Sequence, residues 1–138
     1  MNREIKFRGF SMSDKIWVYG SLNIYDNGNP LITNLKGSQS CSVYPESVGE
    51  CIGLKDKDGK EVYEGDIVKM LWKWKEPFND ELSFREITVK IFYQSGAFWF
   101  VGDGHTDCSW YFYNESEREV LGNIYEHPHL LKGGADGK

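Results

Sequence analysis

Five groups of residues in this chain have the types and spacing that chemistry would need. The first is the turn Asp56-Lys57-Asp58-Gly59. A calcium loop with Gly59 at its sixth position would put Leu54 at the first and Gly65 at the twelfth, where oxygen donors belong. Neither residue supplies one, and a solvated hairpin turn is the better reading. The second group, His105, Asp107 and Cys108, offers zinc donors. Zinc asks for four ligands in paired spacings, and on a strand the adjacent Asp107 and Cys108 point to opposite sides. The third, His127 and His129 around Pro128, reads as surface imidazoles beside the chain end. The fourth is the set Cys41, Cys51 and Cys108, of which only Cys108, near His105, has a local base. No nucleophile elbow, phosphate loop or dinucleotide fingerprint occurs. Gly102-Asp103-Gly104-His105 opens no helix, so it is a turn and not a phosphate cradle. Glu115, Glu117 and Glu119 alternate in a polar stretch, as a solvated face does. No catalytic residue, metal or cofactor is expected, and the chain reads as non-enzymatic.

The fifth group is Trp72-Lys73-Trp74-Lys75. Aromatics interleaved with cations can stack nucleobases while lysine meets phosphate. On a strand, however, Trp72 and Trp74 share a face with Val68 and Met70, which marks core or, if exposed, a partner interface. Lys69, Lys73 and Lys75 then form a basic stripe on the opposite face. These five residues are the candidate site: Trp72 and Trp74 for a partner, Lys69, Lys73 and Lys75 for nucleic acid.

Composition narrows the partner classes. The chain has 138 residues, a formal net charge of -5, and 15% aromatic residues. That length fits one domain or two small subdomains. An acidic balance argues against general polyanion binding, which depends on neutralising phosphates. The charge is uneven: residues 1–75 hold 11 basic and 10 acidic groups, residues 76–138 hold 5 and 11. Any nucleic-acid surface belongs to the first half or to the Lys69–Lys75 stripe. Three cysteines without a CxxC pair point to thiols in a reducing cytosol. Met1-Asn2-Arg3-Glu4 lacks the apolar run of a signal peptide, and no apolar run is long enough to span a membrane.

The elements that position these groups are strands. Glu4 to Arg8, Ile16 to Tyr19, Leu22 to Tyr25 and Leu31 to Thr33 alternate or cluster as short strands, separated by Ser13-Asp14-Lys15 and Asp26-Asn27-Gly28-Asn29-Pro30. Lys36 to Ser40 reads as a polar loop, and Pro45 to Gly49 as a single helical turn opened by proline. Asp58-Gly59 lies between Ile52–Leu54 and Glu61–Tyr63, which predicts a two-residue hairpin with a type I′ turn. Five strands follow residue 65. They are Ile67 to Lys75, Arg85 to Tyr93, Ala97 to Val101, Cys108 to Tyr113 and Val120 to Tyr125. Ala97-Phe98-Trp99-Phe100-Val101 is apolar throughout, as in a strand covered on both faces. The expected fold is mainly β, with a β-rich α+β arrangement as the alternative. Its β-rich N-terminal subdomain covers residues 1–64, a small five-stranded SH3-like barrel covers 65–126, and a flexible tail covers 127–138.

Four segments carry a family resemblance. They are Ile5-Lys6-Phe7-Arg8, the run Val48 to Asp56, the run Asp58 to Val68, and the closing Leu121-Gly122-Asn123-Ile124-Tyr125-Glu126-His127-Pro128. In order and spacing they resemble the YopX family, small proteins encoded by bacteriophages and prophages, from about residue 3 to 131 with a variable middle at 74–86. The resemblance implies a phage-encoded protein in the cytoplasm of a bacterial host. It brings no assigned activity and no catalytic residues.

The expected function is therefore that of a phage accessory protein that binds a protein partner or associates with itself, since Trp and Tyr enrich interface centres. Nucleic-acid binding through Lys69, Lys73 and Lys75 is the alternative. An acidic decoy built on residues 76–138 is weaker, because its acids are interspersed with apolar strand residues.

Overall fold

The computed structural model describes residues 5–34, 36–37, 39–75, 77–102, 105–108 and 118–131, and the side chains of all of these but 72–75, 85 and 105–108. The chain divides into two compact units between Gly53 and Leu54.

The first unit contains β1 (Phe7–Phe10), β2 (Trp17–Ile24), β3 (Pro30–Thr33), β4 (Ser40–Ser42), a 3-10 turn at Pro45–Ser47, and most of β5 (Gly49–Lys55). β1, β2, β3 and β4 form successive antiparallel pairs, and β1 also pairs with β5. β2 runs unbroken through Gly20, so the two short strands expected at Ile16–Tyr19 and Leu22–Tyr25 are one. Ser40, expected in a loop, opens β4. The proline-led turn forms as expected. Its Ser47 Oγ accepts the Phe10 N–H at 2.8 Å and donates to the Tyr44 carbonyl at 2.6 Å, pinning the turn to β1. Ile32 and Val43 are fully buried in this unit.

β5 carries the chain into the second unit and continues, through a turn at Asp56–Lys60, into β6 (Glu61–Tyr63). The six strands so far run in the order β4-β3-β2-β1-β5-β6. The turn is not the two-residue type I′ expected. Gly59 has φ +86 while Asp58 keeps a negative φ. The Gly59 N–H donates to the Asp56 carbonyl and the Asp56 N–H to the Lys60 carbonyl. That pattern is the three-residue loop in which a type I turn ends in a left-handed glycine. A two-residue loop with positive φ at both positions occurs instead at Ser95-Gly96 (φ 56 and 83), where Gln94 pairs with Ala97.

The second sheet holds β7 (Asp66–Lys75), β8 (Leu82–Gln94), β9 (Ala97–Gly102), β10 (His105–Cys108) and β11 (Glu119–Asn123), in the order β10-β9-β8-β7-β11. β11, the last of these strands, pairs with β7, the first, as in a small barrel, while β10 and β11 stand at opposite edges of the sheet. Among the described residues no ladder joins them, so the sheet is not closed there and the expected SH3-like barrel is not shown. Closure depends on long-range register, which alternation cannot specify.

The core of this unit follows strand periodicity. Val68 and Met70 on β7 face Val89 and Ile87 on β8, and all four are at most 1% exposed. On β9 only Phe98 and Phe100 are buried, while Ala97, Trp99 and Val101 are half-buried. The strand expected to be covered on both faces is thus covered fully on one. β10 begins at His105, earlier than expected, and Ser109 to Tyr113 lie outside the described residues. No helix among the described residues is long and apolar enough to cross a membrane.

Candidate functional site

Strand length builds the site. β7 pairs with β8 from Ile67–Lys90 to Lys75–Leu82. On the outer side of β7, β11 pairs only with Asp66 to Lys69. On the outer side of β8, β9 pairs only with Lys90 to Gln94. Beyond those points the two strands have each other and, among the described residues, no third strand. Six residues at ~3.3 Å each make this a two-stranded ribbon of roughly 20 Å. All five residues singled out in the sequence, Lys69, Trp72, Lys73, Trp74 and Lys75, lie on β7 at or within it.

Cross-strand register assigns their faces. Lys73 pairs with Phe84 and Lys75 with Leu82, while Trp72 pairs with Arg85 and Trp74 with Ser83. Opposed residues share a face, so the lysine row runs beside Phe84 and Leu82. The side chains of Trp72, Lys73, Trp74 and Lys75 lie outside those described. The ribbon nevertheless presents Phe78, Leu82 and Phe84 at 99%, 64% and 59% exposure. These three fall between the expected strands Ile67–Lys75 and Arg85–Tyr93, where no site residue was expected. The signal that would have found them is the length of the two strands against that of their neighbours. In the turn, Asp80 adopts positive φ and Asn79 Oδ1 accepts the Glu81 N–H at 3.0 Å.

At the foot of the ribbon the polar groups are tied to one another. Lys69 Nζ lies 3.4 Å from Glu119 and 3.8 Å from Glu86, and Lys57 lies 3.7 Å from Glu119. Lys69 therefore already faces two carboxylates. Over residues 70–87 the sequence holds three cations (Lys73, Lys75, Arg85) against four carboxylates (Glu76, Asp80, Glu81, Glu86). Both facts weigh against a phosphate-binding stripe. The cavity lined by Lys57, Lys69, Met70, Leu71 and Glu86 is about 80 Å³. That is room for a few waters, well short of the hundreds of cubic ångströms of a small-molecule site.

Asp56, the residue of the rejected calcium loop, proves to be structural. Its Oδ1 accepts the N–H groups of Asp58 and Lys60 at 2.9 Å each, and its Oδ2 accepts that of Val120 at 3.0 Å. Burial by itself would raise its pKa. The backbone donors of Val120, Lys60 and Asp58, with the charge of Lys60, outweigh that and hold it below its ordinary value of 3.8. Arg118 Nε donates to the Lys55 carbonyl at 2.8 Å, and Lys57 N–H to the Arg118 carbonyl, so the turn is sewn to the start of β11.

The other candidates are dispersed. His127 Nδ1 accepts the Asn123 N–H at 3.2 Å. Asn123 in turn bonds Glu126, so His127 forms part of the turn that follows β11. Cys41 and Cys51 are thiols, half-buried and buried. Glu119 is ion-paired, whereas Glu115, Glu117 and the side chains of His105, Asp107 and Cys108 lie outside the description. Among the described residues no three of His, Cys, Asp and Glu converge on a metal position.

Fold and site together define an all-β protein of two antiparallel sheets, the second extended by a ribbon that has no third strand among the described residues. Residues 6–132 match the YopX protein family, and the chain belongs to that family. It is similar in fold to protein EF1440 from Enterococcus faecalis, known from a crystal structure. The TM-score is 0.55 with 21% sequence identity, over 94% of this chain and 99% of that one. No curated protein matches the sequence.

Proposed function

We propose that the chain is a phage- or prophage-encoded accessory protein of the bacterial cytoplasm. In this reading it acts by binding, without catalysis, and its contact element is the distal β7–β8 ribbon. One observation carries the reading: Phe78, Leu82 and Phe84 stand exposed on a strand pair that no third strand supports among the described residues. Clustered apolar exposure of this kind is a mark of interaction surfaces. The tryptophans at 72 and 74, on the same ribbon, supply further aromatic mass. Family membership supports the phage assignment. The occupant is a protein partner or, forming a homo-oligomer, a second copy.

The test compares the natural chain with a Phe78→Ser/Phe84→Ser variant. Both are used for affinity capture from host-cell lysate with mass-spectrometric identification, and both are weighed by light scattering after gel filtration. Expected is a defined captured protein, or a dimer mass, present for the natural chain and lost in the variant. A monomeric natural chain that captures nothing specific removes the reading.

A further inference from the structure

We propose that the outer edge of β8, from Leu82 to Ile87, receives an extended peptide strand in antiparallel pairing. The residues of that strand facing Glu86, Phe84 and Leu82 are, in its own N-to-C direction, a cation, an apolar residue and an apolar residue. This rests on the ribbon being the contact element.

A sheet edge without a neighbour is a template for a further strand, in which backbone hydrogen bonds supply affinity and alternate side chains supply selection. Among the described residues the ribbon has two such edges, and charge separates them. The β7 row carries Lys69, Lys73 and Lys75, whereas the face of β8 exposed to an incoming strand reads Leu82, Phe84, Glu86. Two further carboxylates, Asp80 and Glu81, stand at the start of β8. On the opposite face Ile87 is 1% exposed and Ser83 half-buried, and selection is assigned to the exposed Leu82–Phe84–Glu86 row. The Glu86 side chain is 65% exposed despite the Lys69 ammonium at 3.8 Å, leaving it open to a second cation.

The same row argues against a second copy as the occupant. A two-fold axis between paired β8 edges keeps each face on one side. Within the row, Glu86 would then meet Leu82, Phe84 or Glu86 of the other copy, never a cation. Opposite charges across a strand pair stabilise and like charges destabilise, so the favoured occupant is a different chain with the cation-apolar-apolar alternation.

The probe is a fluorescein-labelled peptide, Thr-Lys-Thr-Phe-Thr-Leu-Thr, with a counterpart in which Glu replaces Lys. Anisotropy is read with the full chain, with Glu86→Lys and with Phe84→Asp, each checked for an unchanged circular dichroism melt. The Lys peptide should bind the natural chain about three- to five-fold tighter than the Glu peptide, the ratio expected of one cross-strand charge pair. Glu86→Lys should reverse that order, and Phe84→Asp should weaken both. Equal binding of the two peptides, or an order that Glu86→Lys does not change, overturns the proposal. Failure of both peptides while lysate capture still depends on Phe78 and Phe84 overturns strand addition alone and leaves the ribbon as the contact element.

Discussion

The β7–β8 hairpin is two structures on one pair of strands. At its foot, Ile67, Val68, Val89 and Ile91 are buried, β9 and β11 flank it, and Asp56 binds the neighbouring turn to β11. At its tip the same strands carry exposed Phe78, Leu82 and Phe84 without a described neighbour. Local strand pairing is similar in both, so pairing alone does not distinguish them. What differs is the destination of the side chains: into a core at the foot, outward at the tip. The foot accounts for stability and the tip is left to account for binding.

Substitutions should therefore divide sharply by position. Phe100→Ala, which empties a fully buried ring site on β9 beside the foot, should cost about 3–5 kcal/mol in urea denaturation. Phe84→Ala at the tip should stay within about 0.5 kcal/mol. A large loss at Phe84 would mean that the tip is packed and that the comparison is wrong.

Asp56 sharpens the foot. Removing an acceptor that serves three N–H groups, as in Asp56→Ala, should cost roughly 2–3 kcal/mol at neutral pH. Its folded pKa lies below 3.8. The stability it confers is thus full above that value and is lost as pH falls through the lower folded value. Between pH ~5 and ~2 the natural chain should lose more stability than Asp56→Asn, narrowing the gap between them. A gap that widens on acidification would show that the carboxylate is not held in its charged form.

A smaller effect is expected at Gly122, where a Cβ would lie 2.6 Å from His127 Nδ1. Gly122→Ala should cost about 1–2 kcal/mol by forcing that ring aside. His127→Ala in the same background should recover part of the loss, because it removes the obstructing ring.

The foot was legible in the sequence because alternation marks a half-buried strand: Val68 and Met70, then Ile87, Val89 and Ile91, fall on the expected faces. Asp56 was not, because its third donor, Val120, is 64 residues away and no local pattern announces it. Asp58-Gly59 was recognised as a turn but given the wrong type, since one left-handed glycine satisfies a three-residue loop as well as a dipeptide signature suggests a two-residue one. Barrel closure was illegible for the same reason that Asp56 was hidden: both are long-range matters. The tip was half legible. Trp72, Trp74 and the lysines drew attention to β7, yet it is the length mismatch between β7–β8 and β9 or β11 that leaves the ribbon without a third strand among the described residues.

The most direct test is to remove the tip and keep the foot. Residues 73–84 are replaced by Asn-Gly, joining Trp72 to Arg85, which already pair. Urea denaturation and lysate capture are then measured side by side with the natural chain. The predicted result is a stability within about 1 kcal/mol of the natural chain together with loss of its specifically captured partner or its dimer mass. Capture that survives the shortening undiminished, from a chain that remains folded, would contradict the assignment of binding to the ribbon.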